Sequence, residues 1–150
     1  MIEVAILVGL PGAGKTSFYR ARLAGSHVHV SKDVLGHGKE TGRRQLELVT
    51  QALRERRSVA VDNTNPRPED RAPLIALARA AGARVVAYVL DTTPKESAAR
   101  NRTRTGRERV PNVAVFVTAK RLQPPTAAEG FDAVYRVRAD GGGFEVIVEV

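Results

Sequence analysis

Eight consecutive residues, Gly9-Leu10-Pro11-Gly12-Ala13-Gly14-Lys15-Thr16, have the types and spacing of a phosphate cradle. Glycines at these positions let backbone N–H groups curl around phosphate oxygens, and a helix starting at the end of the run adds the partial positive charge of its N-terminus. In the pattern G-x-x-x-x-G-K-[ST] the lysine reaches the β- and γ-phosphates and the hydroxyl residue ligates Mg²⁺. Those residues are Lys15 and Thr16 here, with Ser17 following on the first helical turn. The alternative, an accidental Gly-rich turn, does not account for the apolar run before the loop and the helical pattern after it. The chemistry implied is binding of a nucleoside triphosphate with Mg²⁺.

Further groups could act on that triphosphate. Asp33 follows Val28-His29-Val30-Ser31-Lys32, just past a strand end, where a carboxylate can take a proton from an attacking hydroxyl or organise Mg²⁺. It can equally cap a turn. Asp62 closes the apolar run Val59-Ala60-Val61, the Walker-B arrangement that holds Mg²⁺ directly or through water. After it, Asn63, Thr64 and Asn65 supply short polar groups that could anchor a substrate or satisfy the local backbone.

Arg100, Arg102, Arg104, Arg107 and Arg109 crowd one short segment. Phosphoryl transfer needs charge on the migrating group to be stabilised, and an Arg-bearing lid near 100–111 would supply it. A solvated basic helix end is the competing reading. Lys32, Lys39, Arg43 and Arg44 flank Asp33 and could contact an anionic substrate or lie on a solvated helix face. His27 and His29 share one strand face without an evident third ligand, which favours packing or polar structural roles over metal binding.

Positioning these groups requires an α/β architecture. Residues 2–8, 27–31, 58–62 and 84–91 read as strands; 27–31 alternates, whereas the other three are mostly apolar, as buried parallel strands are. Helical patterns alternate with them over 17–24, 41–57 and a segment ending at Gly82. Pro73 places the start of this last helix near Arg71 or kinks it. Another helix begins at Pro94. Residues 134–138 and 144–150 alternate around Gly141-Gly142-Gly143 and read as a hairpin extending the sheet. Strands alternating with helices predict a parallel sheet sandwiched by helices, in one domain spanning 1–150.

The composition agrees. With 43% hydrophobic and 27% charged residues the chain is globular, and no apolar run approaches a membrane span. The start of the chain lacks an export signal, and zero Cys rules out disulfides and thiol catalysis, so a cytoplasmic protein is expected. Lys and Arg number 24, most of them Arg, against 16 acidic residues, for a net charge of +8. That balance favours polyanionic partners, or else reflects arginines spread over solvated faces.

Taken together, Gly9–Thr16, Val28-His29-Val30-Ser31-Lys32-Asp33-Val34-Leu35-Gly36, Val61-Asp62-Asn63-Thr64-Asn65-Pro66, Arg100-Asn101-Arg102 and Pro125–Phe131 resemble the 5′-hydroxyl polynucleotide kinase family, in order along almost the whole chain. The resemblance implies a P-loop NTPase domain of adenylate-kinase-like type, with ATP as donor, Mg²⁺, and a nucleic-acid 5′-OH end as acceptor. It makes Asp33 the general base, Lys15 and Thr16 the holders of the β/γ-phosphates and Mg²⁺, and Arg104 a clamp on the transferring phosphate, with Arg100 a second contact. Some relatives grip the substrate's 3′-phosphate with an Arg at the position of Gly36, so that contact here falls to Lys39, Arg43 or Arg44, with Asp33, Asp62, Asn63 and Asn65 as the other acceptor-binding candidates. Two other functions use the same residues: phosphorylation of a small-molecule hydroxyl, and a nucleotide-dependent regulatory module.

Overall fold

The apolar runs and amphipathic segments assemble into one six-stranded sheet with helices on both faces. The computed structural model describes residues 1–35, 40–104 and 110–149, with backbone alone at 33 and 34. In chain order the elements are β1 (Glu3–Val8), α1 (Lys15–Phe18), β2 (His27–Val30), α2 (Lys32–Leu35), α3 (Thr41–Arg54), β3 (Ser58–Val61), α4 (Pro68–Ala80), β4 (Arg84–Leu90), α5 (Pro94–Asn101), α6 (Asn112–Arg121), β5 (Ala133–Asp140) and β6 (Gly143–Val148). The strand order is β2-β3-β1-β4-β5-β6. All neighbours are parallel except β6, which runs antiparallel to β5 and closes the predicted hairpin.

Strand β1 is central because it is apolar on both faces. Val4, Ile6 and Val8 point into a core shared with Val49 and Leu53 of α3 and Leu74 and Ala78 of α4. Ala5 and Leu7 point into a second core with Phe18 of α1, Ala98 of α5 and Val115 of α6. Each fully buried valine, leucine or isoleucine contributes about 1.5–3 kcal/mol. With β3 and β4 both parallel to β1, the loops leaving their C-terminal ends meet beside the point where the strand order reverses. That crevice is where open α/β sheets bind ligands. No helix among the described residues is long and apolar enough to cross a membrane.

Two local expectations are corrected, and one helix was not expected. The helix predicted over 17–24 begins at Lys15 and is α-helical only to Phe18, then widens into a π-helical turn, Tyr19–Leu23, closed by Ala24 N–H donating to Tyr19 O at 2.9 Å. Helix α4 begins at Pro68 rather than near Arg71 and carries Pro73 inside it. Pro68 presets the first helical φ, and the Asp70 carboxylate accepts from Arg67 N–H at 3.0 Å, which caps the earlier start. Helix α6 has no counterpart among the sequence expectations. Its valines at 113, 115 and 117 alternate with a strand-like period, but Val115, fully buried, and Ala119 lie against the second core on one helical face.

Candidate active site

The loop leaving β1 is shaped by two glycines with positive φ. Gly12 lies at +81° and Gly14, the N-cap of α1, at +99°. A Cβ on Gly12 would stand 2.3 Å from the Ser97 carbonyl, and one on Gly14 would stand 3.0 Å from the Arg100 guanidinium. The loop therefore needs glycine both for its backbone and for its contact with α5. Lys15, almost fully buried, folds back to donate its Nζ to the carbonyls of Gly9 (3.1 Å) and Leu10 (2.7 Å). Leu10 and Ala13 pack into the second core and hold the loop from behind.

Beside the loop, the Thr16 hydroxyl donates to Asp62 Oδ2 at 2.6 Å. His29 Nε2 meets the same oxygen at 2.8 Å. Burial pushes the Asp62 carboxyl up, but the hydrogen bonds from His29 and Thr16 and the charge of Lys15 outweigh it and hold the pKa below the usual value. A hydroxyl and an ionised carboxylate beside a phosphate cradle suit Mg²⁺, which prefers one or two carboxylates together with substrate phosphates.

The turn after Asp62 is braced from several directions. Thr64 O accepts from Gly9 N–H at 3.1 Å, linking it to the phosphate loop. Asn63 Oδ1 accepts from Lys32 N–H at 2.9 Å, and its amide donates to the buried Gln45 side chain. Asn65, with φ at 43°, is buried and donates to Leu7 O at 2.8 Å. Its own carbonyl accepts from Arg71 Nη1 at 3.0 Å, while Arg71, with no exposed surface, forks onto Glu129 at 2.9 and 3.1 Å.

These elements enclose a cavity of about 370 Å³. Pro11, Gly12, Gly14, Lys15, Thr16 and Ser17 line it along the loop, and Asp62 and Asn63 along the β3 turn. Arg100 of α5 and Arg104 just after that helix line it too, joined by Lys32 and by Arg20. Arg100 Nη1 lies 3.5 Å from Ala13 O. Asn101, which is fully buried, ties the end of α5 to the residues at the start of α6. Its amide donates to Val110 O at 2.5 Å and Asn112 Oδ1 at 3.3 Å, and its Oδ1 accepts from Val110 N–H at 3.0 Å.

The sequence-predicted residues thus divide. The loop, Asp62, Asn63, Arg100 and Arg104 are brought to one cavity. Asn65 faces the β1 backbone and shapes the turn instead. Arg43 lies on the exposed face of α3, paired with Glu40 and Glu47, and does not line the cavity. Asp33 falls on α2, next to cavity-lining Lys32, but its side chain lies outside the described residues, as do Lys39, Arg107 and Arg109. Sequence reasoning missed the links of His29 to Asp62, Gln45 to Asn63 and Asn101 to Val110, each a polar residue whose partner is set by the fold. An uncharged polar residue inside a helical pattern, as at Gln45 and Asn101, is the signal that could have found two of them.

Residues 4–125 match a family model described as "AAA domain". The chain is 27% identical over 139 residues to the bifunctional polynucleotide phosphatase/kinase of Schizosaccharomyces pombe, an alignment covering 90% of this chain and 33% of the relative. The chain therefore spans about a third of that relative's length. Among solved structures, Chaetomium thermophilum Kti12 in complex with ADP-AlF₃ superposes with a TM-score of 0.69 at 15% identity, covering 91% of this chain and 89% of the other. The Mycobacterium tuberculosis APS kinase CysC in complex with AMPPNP and APS gives 0.62 at 19%, covering 93% and 89%. The fold is that of the P-loop kinases.

Proposed function

The chain belongs to the AAA domain family, and from that premise we propose that it is an ATP-dependent phosphotransferase whose acceptor is the 5′-hydroxyl of a polynucleotide. The observation that carries the reading is the meeting, in one cavity, of Lys15, Arg100 and Arg104 with the Thr16–Asp62 pair. Cations gathered around a phosphate cradle stabilise charge on a migrating phosphoryl group, which is most of what phosphoryl transfer asks of a protein. The acceptor class is supported by similarity to the polynucleotide phosphatase/kinase and by the net charge of +8.

In this reading the loop N–H groups and Lys15 hold the β- and γ-phosphates. Thr16 and Asp62 would hold Mg²⁺, whose contribution when bound is to neutralise charge on those phosphates. Arg100 and Arg104 orient the γ-phosphoryl group. The acceptor oxygen forms a bond to the γ-phosphorus while the bond from that phosphorus to the β–γ bridging oxygen breaks, releasing ADP. Asp33 takes the hydroxyl proton.

The test incubates the protein with γ-labelled ATP and 5′-hydroxyl DNA and RNA oligonucleotides, beside a panel of small hydroxyl compounds. Label enters the oligonucleotide at a rate that falls steeply with salt, and Asp33→Ala lowers that rate by about 10²–10⁴-fold, the usual worth of a general base. Absence of transfer to DNA and RNA across metals and salt overturns the acceptor assignment. Transfer to a small hydroxyl compound replaces it with a small-molecule kinase, and ADP binding without any phosphorylated acceptor replaces it with a regulatory module.

A further inference from the structure

Asp62 Oδ2 accepts two hydrogen bonds, from Thr16 at 2.6 Å and from His29 at 2.8 Å, and the second has no part in the phosphate-loop pattern. We propose that His29 is a positioning residue for the metal-bound nucleotide: it locks the Asp62 carboxylate against rotation, and Tyr19 in turn locks His29. The inference rests on the reading of Thr16 and Asp62 as the Mg²⁺-holding pair.

A carboxylate held by one hydroxyl can still turn about its own axis. A second donor on the same oxygen removes that freedom and leaves Oδ1 with no hydrogen bond among the described residues. An ionised carboxylate only accepts, so Nε2 of His29 carries the proton that faces it. Thr16, whose proton is directed at Asp62, keeps its oxygen lone pairs for a cation. Outer partners of this kind orient the groups that ligate a metal.

The π-helical turn after α1 explains how the imidazole is held. Tyr19, the first residue of that turn, stacks on the His29 ring with centroids 4.3 Å apart and planes inclined by 24°. Its hydroxyl donates to His27 O at 2.6 Å, on the same strand as His29, so the stacking ring is anchored at both ends. π-Turns inside helices recur at functional sites. The His29 side chain keeps 27% of its surface exposed against 3% for Asp62. A histidine serving only to fill the core would be sealed, whereas this one reaches inward with its ring nitrogen.

The test measures ADP affinity by calorimetry in excess Mg²⁺ and in EDTA, for the wild type, His29→Ala, His29→Phe and His29→Gln. His29→Phe keeps a ring against Tyr19 and loses the donor; His29→Gln restores a donor without the ring. In the Ala and Phe variants the gain in ADP affinity that Mg²⁺ confers shrinks by about 10- to 100-fold, affinity in EDTA stays within about twofold of wild type, and the Gln variant recovers most of the gain. Should His29→Ala fail to fold, the ring-retaining Phe variant carries the comparison, with thermal melts confirming its fold. A full Mg²⁺ gain in His29→Phe overturns the proposal. So does an equal loss of ADP affinity with and without metal, which marks a folding role. Wild-type protein whose ADP affinity ignores Mg²⁺ overturns the Thr16–Asp62 reading itself, an outcome distinct from either.

Discussion

The two sides of the cavity are built differently. The phosphate loop and the β3 turn are cross-braced at many points: Gly9 to Thr64, Lys15 to two loop carbonyls, Thr16 to Asp62, Asn65 to Leu7, and Arg71 to Asn65. The end of α5 that carries Arg100, by contrast, is tied to the residues leading into α6 by the carboxamide of Asn101. On one side the bonds are spread over side chains and backbone groups of several residues, and on the other, among the described residues, three of them converge on one side chain. Damage should follow the same division. Disturbing the loop removes the nucleotide, whereas disturbing Asn101 leaves it bound but poorly met by Arg104.

Gly12→Ala tests the loop side and has the largest expected effect. The added Cβ meets the Ser97 carbonyl, a backbone atom that cannot step aside, at a φ that alanine resists. Stability falls by about 1–3 kcal/mol, and ADP affinity measured by calorimetry falls at least about tenfold. Asn101→Ala comes next. It leaves both polar groups of the Val110 backbone without their partner, costing about 1–3 kcal/mol in a thermal or denaturant melt. Here kcat for phosphate transfer drops while ADP affinity is largely kept. If Asn101→Ala and Gly12→Ala weaken ADP binding alike, the two sides are one unit and the distinction between them fails.

The smallest effect is expected from Arg43→Ala on α3. Its pairs with Glu40 and Glu47 are exposed, and pairs of that kind are worth about 0–1 kcal/mol. Stability and the KM for an oligonucleotide should both stay near wild type. A clear rise in that KM would instead bring the α3 face into the acceptor wall.

Much of this arrangement was legible before the fold was known, and the legible parts share a cause. The strands at 2–8, 58–62 and 84–91 announce themselves because parallel strands buried on both faces must be continuously apolar. The phosphate loop is legible because two positive-φ turns and a close approach to a neighbouring helix leave glycine as the residue that fits. Asp62 is legible from its place at the end of an apolar strand. Helix α6 was not, because its valines carry a strand's period and its apolar anchor, Val115 with Ala119 against the second core, is set by the fold. The places of Asn65, turned to the β1 backbone, and Arg43, on the exposed face of α3, could not be read for a related reason. Short polar and basic residues near a site look alike in sequence, whether they face the cavity, the backbone or the solvent.

The sequence by itself determined that a Gly-rich loop follows a buried strand, that a carboxylate, Asp62, closes another apolar strand, and that strands and helices alternate. All of these are local, written in consecutive residues whose sterics and periodicity act over one element. The tertiary structure alone decided that His29 and Asp62, 33 positions apart, share a hydrogen bond, that Glu129 holds Arg71 from 58 positions away, and that Asn101 bonds to the backbone of Val110. Such pairings depend on which strands lie side by side and in what register. Parallel strands joined by crossovers bring together residues far apart in the chain, so these partners could not be read from either segment alone.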